Sequence, residues 1–310
     1  MQTPIRNFEE TKQVQASSMI PFNVNSYNVI RDLLLEFTNS GSASTLSDIQ
    51  TAVSRIVVLI NGINVVDVKL NELIDLYTFL GTRIQQSTLV NVFSLNIGRL
   101  LYSAGILREQ FDWRCGKSGE TDPNKKISSL VVQIYTTGTT TGVTDVNLYS
   151  VRKNVEADWD DTYVQFNNNV QSFSSVGQSQ VNTLPKNADD LFLACIAYPG
   201  TSGVIDSGET LVNNVNVARN ISMAVNNSIN MQDGYGVISG AFVHNYCDGN
   251  GNSGLLVRDV TSELSVRTTF STAPSSSYDI AVLKIHNCPS RIMALNQSNT
   301  LLDLNSIPNA

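Results

Sequence analysis

The residue types that most often carry chemistry are scarce in this chain. There are two histidines, His244 and His286, and four cysteines, Cys115, Cys195, Cys247 and Cys288. A metal site of two or three imidazoles with a carboxylate close by needs a motif such as H-x-H, which is absent. The two histidines are therefore expected to be hydrogen-bonded or surface imidazoles. The cysteines form no C-x-x-C and lie far apart, so they are expected to be isolated thiols. Gly251-Asn252-Ser253-Gly254 superficially resembles a serine-protease nucleophile loop. Its only upstream histidine, His244, is too near in sequence to approach from a separate part of the fold as that chemistry requires. A turn is the better reading.

One run could hold a hard cation. Asp248, Asn250 and Asn252 alternate as D-x-N-x-N, and Asp259 falls at the twelfth position. Carboxylate and amide oxygens at that spacing suit Ca²⁺. Two features depart from the pattern: Ser253 stands where glycine is expected, and the flanks read as strand. A structural Ca²⁺ at these four residues is the only cofactor suggested, and none is required. Asp158, Asp160 and Asp161 flank Trp159 as a small acidic cluster. It could face a cation or an arginine, but a solvated linker is expected. No glycine-rich phosphate loop and no nucleophile–base pair is found, so an enzyme is not expected.

The elements that would position such residues are mainly strands. Of 310 residues, 34 are Ser, 24 Thr and 33 Asn, while charged residues make up only 15%, against about 25% in an average soluble protein. An uncharged polar surface suits strands and turns better than exposed helices. The net charge of −7 lacks the basic footprint of a nucleic-acid binder, so no direct nucleic-acid binding is expected. Apolar runs such as Ile56–Ile60 are too short to span a bilayer, and no transmembrane segment is expected. MQTPIRNFEETKQVQ has no apolar stretch of the kind a secretory signal needs.

Tyr27–Phe37 reads as a strand closed by Asn39-Ser40-Gly41. Ala52–Ile60 and Ile63–Val68 flank Asn61-Gly62, the strongest short hairpin signal. Leu70, Leu73, Ile74, Tyr77 and Leu80 predict one helix, with Gly81 placed to end it. Leu89–Ile97 alternates like a strand, and residues 98–126 look irregular. Ile127–Tyr135 and Val143–Val151, joined by a Thr/Gly turn, predict a hairpin. The second half offers strands at Asp190–Tyr198, Val215–Val225 and Val237–Tyr246. A short helix over Leu255–Ser262 follows, then a closing hairpin of Glu263–Phe270 with Tyr278–His286.

The last two strands of each half correspond at an offset near 134–136 residues. Internal repetition of this kind changes the fold assignment. It predicts an all-β chain of two tandem eight-stranded jelly-roll (Greek-key) β-barrels with few short helices. The expected division is an N-terminal arm at 1–20, a first roll at 21–154, a second at 155–288 and a C-terminal arm at 289–310.

The runs YNVIRDLLLEFTNSG, TLSDIQTAVSRIVVLINGINVV and KLNELIDLYTFLGTR then carry a resemblance. In order of elements they resemble the first barrel of double jelly-roll major capsid proteins of tailless, membrane-containing icosahedral bacteriophages of the corticovirus type. LPKNADDLFLACIAY and ELSVRTTFSTAPSSSYDIAVLKI look like the first and last strands of the second barrel. The resemblance spans about residues 20–287 and leaves the arms unmatched.

It implies a coat protein of the virion shell, assembled in the host cytoplasm. Homotrimers would form pseudo-hexagonal capsomers that contact neighbouring capsomers, vertex (penton) proteins and membrane-associated virion proteins over an internal membrane. Segments 98–126, 199–214 and 248–254 would then be outward or inter-trimer loops, and the two arms would make contacts at the base of the shell. The competing reading is a two-domain β-sandwich adhesin or viral spike, for which Trp113 and Trp159 would be the aromatic handles.

Overall fold

The computed structural model describes residues 4–80, 91–98, 111–179, 182–184, 186–187, 189–213, 215–247, 255–256 and 264–288. The chain divides into two compact units, Met1–Asn169 and Val170–Ala310.

The first unit runs β1 (Ile5–Gln13), β2 (Met19–Asn23), β3 (Val29–Asn39), β4 (Ser42–Ala43), α1 (Leu46–Ala52), β5 (Val53–Ile60), β6 (Ile63–Lys69) and α2 (Leu70–Phe79). It continues with β7 (Val92–Ser94), β8 (Trp113–Arg114), β9 (Leu130–Thr136) and β10 (Asp145–Lys153), and β11 (Tyr163–Ser172) crosses into the second unit. One sheet is ordered β1-β10-β3, with β4, β7 and β8 as successive short partners of β3. The other is β2-β9-β5-β6, and β11 pairs with β6 in parallel at Phe166–Val66. β9 and β10 alternate strictly between buried and part-exposed residues. That period of two turns one face of each sheet inward, where Phe22, Leu33, Phe37, Ile56, Val132 and Leu148 are buried.

The second unit contains β12 (Gly177–Gln178), β13 (Asn182–Thr183), β14 (Leu191–Tyr198), β15 (Val204–Val212), β16 (Val215–Ser222), α3 (Met223–Gln232), β17 (Phe242–Asn245), β18 (Leu255–Leu256), β19 (Leu264–Thr272) and β20 (Ser277–His286). β20, β14 and β17 neighbour one another, with β18 beside β14. β16, β15 and β19 form the other sheet, with β12 and β13 along β19. Phe192, Ile205, Phe242, Leu264, Phe270 and Tyr278 make its core. β15 can pass Phe242 only because residue 208 is glycine: a Cβ there would lie 2.5 Å from the Phe242 ring.

The two units repeat one plan. β2-β9-β5-β6 corresponds to β12/β13-β19-β15-β16, β10-β3-β7 to β20-β14-β17, and a helix follows β6 and β16 alike. This is the tandem jelly roll expected from the sequence. The Asn61-Gly62 hairpin is also as expected. Both residues take positive φ, 52° and 81°, as a type I′ turn demands.

Six expectations are corrected. Ile127–Tyr135 and Val143–Val151 are not a hairpin: β9 pairs with β2 and β5, and β10 with β1 and β3. The same holds for β19 and β20, which pair with β15 and β14. In each unit the turn-rich segment carries the chain from one sheet to the facing one. Alternating burial looks the same whether successive strands pair or face each other, so period alone could not separate the two.

The N-terminal arm expected over 1–20 is strand instead from Ile5 onward. β1 pairs along β10, and β2 begins at Met19. The division falls inside β11 rather than at Asn154, because residues 154–162 fold back onto the first unit. Finally, 199–214 is mostly the strand β15, and Val215–Val225 ends as helix α3. The C-terminal arm, Gly81, and most of the proposed helix at Leu255–Ser262 lie outside the described residues.

Candidate functional site

Asp248, Asn250, Asn252 and Asp259 all lie outside the described residues, as do Gly251, Ser253 and Gly254. Among the described residues, no group of three His, Cys, Asp or Glu side chains is placed to hold a metal ion. No helix among them is long and apolar enough to cross a membrane.

The histidines are held as the sequence suggested. His244 on β17 is buried, with Nδ1 3.0 Å from Thr210 Oγ1 and its ring against Phe242. Burial pushes its pKa down to about 3, so it is neutral. His286 Nδ1 lies 2.9 Å from Asp190 Oδ1, and Lys284 Nζ donates to Asp190 Oδ2 at 2.7 Å. The Asn187 amide donates to the same carboxylate at 3.0 Å. Burial alone would raise the Asp190 pKa, but the bonds from His286 and Lys284 hold it below the usual carboxylate range. This constellation joins the start of β14 to the end of β20. The four cysteines are present as thiols. Burial pushes Cys115, Cys195 and Cys288 up to about 12, which leaves them without thiolate character at neutral pH.

A second polar constellation, in the first unit, carries no motif that sequence reasoning could find. The register of β1 on β10 slips between Phe8 and Glu10, so Glu9 is an extra, bulged residue. Its carboxylate meets Arg152, which is 1% exposed, at 2.9 Å. Arg152 also donates to Ser150 Oγ and to the carbonyls of Asn25 and Tyr27, and stacks over the Tyr27 ring at 4.1 Å. A strand whose inward residue is a paired glutamate shows no apolar period, which is why β1 read as an arm.

The acidic cluster is not a solvated linker. Asp158 pairs with Lys117 at 2.9 Å and Asp160 with Arg114 at 2.8 Å. The Trp159 amide donates to Lys125 O. Trp159 stacks on Tyr163, and both it and Trp113 are buried. The two tryptophans therefore cannot serve as exposed ligand handles.

The two helices after β6 and β16 differ in kind. α2 buries Leu70, Leu73, Leu76, Tyr77 and Phe79. Its first turn is closed by Glu72, which accepts from the Lys69 amide at 2.9 Å and from Asn168 Nδ2 at 2.8 Å. α3 starts at the Ser222 cap, and Met223 packs against the core. Beyond that its buried residues are Asn226 and Asn230, at 7% and 2% exposure, and Asn226 Nδ2 donates to Val243 O at 3.0 Å. Val225, Ile229 and Met231 are 53%, 43% and 58% exposed.

No family model matches the chain, and no curated protein matches it in sequence. Solved structures do. It superposes on the major capsid protein P2 of bacteriophage PM2 with a TM-score of 0.69, over 91% of this chain and 97% of that one, at 14% identity. The STIV major capsid protein matches at 0.60, over 91% and 96%, with 10% identity. The Faustovirus major capsid protein matches at 0.56, over 92% and 90%, with 7% identity. Two eight-stranded rolls in tandem define the double jelly-roll class. This chain has that fold, the one it shares with these major capsid proteins.

Proposed function

We propose that the chain is a major capsid protein, a structural subunit of a virion shell and not an enzyme. The observation that carries this reading is the repeated roll in one chain, together with a match that covers at least nine-tenths of each of these capsid proteins. Two similar barrels per chain give a three-fold oligomer six similar corners, and a pseudo-hexagonal block can tile a closed surface. Closed cyclic symmetry needs heterologous contacts, in which different patches of the same chain meet. The reading extends to homotrimeric capsomers of a bacteriophage shell over an internal membrane, assembled in the host cytoplasm. Neighbouring capsomers, vertex proteins and membrane-associated virion proteins would be the partners. The burial of Trp113 and Trp159 weighs against the adhesin or spike reading.

Light scattering on the purified protein, with and without a chelator, tests this. The expected mass is three times 33.8 kDa, about 101 kDa for a closed trimer. A monomer at all concentrations would overturn the reading. If Asp248, Asn250, Asn252 and Asp259 hold a structural Ca²⁺, chelation will dissociate the trimer; an unchanged mass would remove the ion from the proposal.

A further inference from the structure

Helix α3 is built inside out. An amphipathic surface helix turns its apolar stripe to the core and its polar residues to water. Here asparagines face the core, and Val225 and Ile229 stack one turn apart on the open side. Ala224, Ser228, Met231 and Gln232 complete that side and are also exposed. From Met223 to Gln232 there is no charged residue. Exposed helices in water usually carry Glu and Lys, so the composition as well as the orientation is that of a covered surface.

The charge of the chain indicates what covers it. Each copy carries −7, so two copies repel wherever acidic surfaces meet, and their contact is best placed on an uncharged patch. α3 offers a patch of that kind, ten residues long, with an apolar centre. A membrane surface is a poor alternative: the helix has no lysine or arginine for anionic headgroups and only three large apolar side chains on its open face. The patch is smaller than the roughly 800 Å² per partner of a stable interface. It would therefore form the apolar centre of a larger, polar-rimmed contact.

We infer that the open face of α3, centred on Val225, Ile229 and Met231, is a contact surface for a second copy of this chain. The inference rests on the capsid reading, which supplies the second copy, and it assigns that reading's contact to particular residues. Because contacts in a closed ring are heterologous, α3 meets a different surface of its neighbour, not another α3.

The test uses the full chain, with Val225→Asp and Ile229→Asp combined and light scattering as the readout. Both positions are exposed, so circular dichroism and the melting temperature should match the unsubstituted protein. The expected result is a folded 33.8 kDa monomer where the unsubstituted chain is a trimer. An independent measurement places a photo-crosslinking amino acid at Met231, where the expected product has the mass of two chains. If the double variant stays trimeric, the inference fails and the capsid reading stands. If the unsubstituted protein is itself monomeric, the capsid reading fails and the inference with it. If crosslinking yields only single-chain products joined to residues 289–310, the chain's own tail covers the helix and the inference is overturned.

Discussion

α2 and α3 stand at the same point in the two rolls, α2 directly after β6 and α3 directly after β16, yet they bury opposite kinds of residue. α2 sends Leu73, Leu76, Tyr77 and Phe79 inward, and α3 sends Asn226 and Asn230. Fold alone did not require this, since both helices have the same length and place. The repeat preserves topology while each copy of the roll is free to use its helix differently. In α2 it closes a core. In α3 only Met223 reaches the core, and the rest is held by a cap and by the Asn226 bond to Val243. A helix fixed by specific polar bonds leaves its apolar side chains for another surface.

The largest effect that would sharpen this contrast is on stability. Leu73→Ala removes a fully buried side chain and should cost about 2–5 kcal/mol in denaturant unfolding. Ile229→Ala should cost under about 0.5 kcal/mol, because it touches an exposed position. Equal losses at the two sites would break the comparison.

A second contrast is acid sensitivity, since both histidines lie in the second unit and neither in the first. His244 has a folded-state pKa of about 3, below the unfolded value near 6.5. The folded state therefore binds fewer protons than the unfolded one. Its contribution to stability is full above about pH 6.5 and is lost as pH falls towards 3, at roughly 1.4 kcal/mol per unit. At pH 5 the second unit should be weaker than at pH 7 by about 2 kcal/mol. Hydrogen exchange at pH 5 should show β14 and β17 losing protection before β3 and β10. The reverse order would contradict the burial of a neutral imidazole.

A smaller, pH-dependent effect lies on α2 itself. Burial raises the Asp75 carboxyl to about 6. Its folded-state pKa is above the unfolded value, so its contribution is full below about pH 4 and lost as pH rises through 6. Asp75→Asn should therefore stabilise the chain by about 1 kcal/mol at pH 7, discounted for part exposure, and by nothing at pH 4. Thermal melts at the two pH values would show it. A gain at both would point to helix propensity instead.

Much of this fold was legible because its signals are local. The Asn61-Gly62 turn, the strict alternation of β9 and β10 and the Leu70–Leu80 spacing each act within ten residues. What was not legible depended on partners far away in sequence. β1 is inward-facing through Glu9, whose partner Arg152 is 143 positions on. The crossing from β9 to β10 is decided by which strands lie beside them, and period does not encode that. Asp158 and Asp160 read as linker because Lys117 and Arg114 are some 40 residues earlier. The strand expected over Val215–Val225 runs into the first turn of α3 because β-branched Val residues dominate that stretch, and the rest of the helix carries no apolar stripe on its buried side. The signal that could have been noticed was the polar Asn pair at helical spacing, Asn226 and Asn230.

The proposed assembly is one closed block of three two-roll chains. Negative-stain images of the purified protein test it most directly. The expected particles have a pseudo-hexagonal outline with three-fold symmetry. Single two-lobed particles at every concentration, or a two-fold dimer, would contradict it.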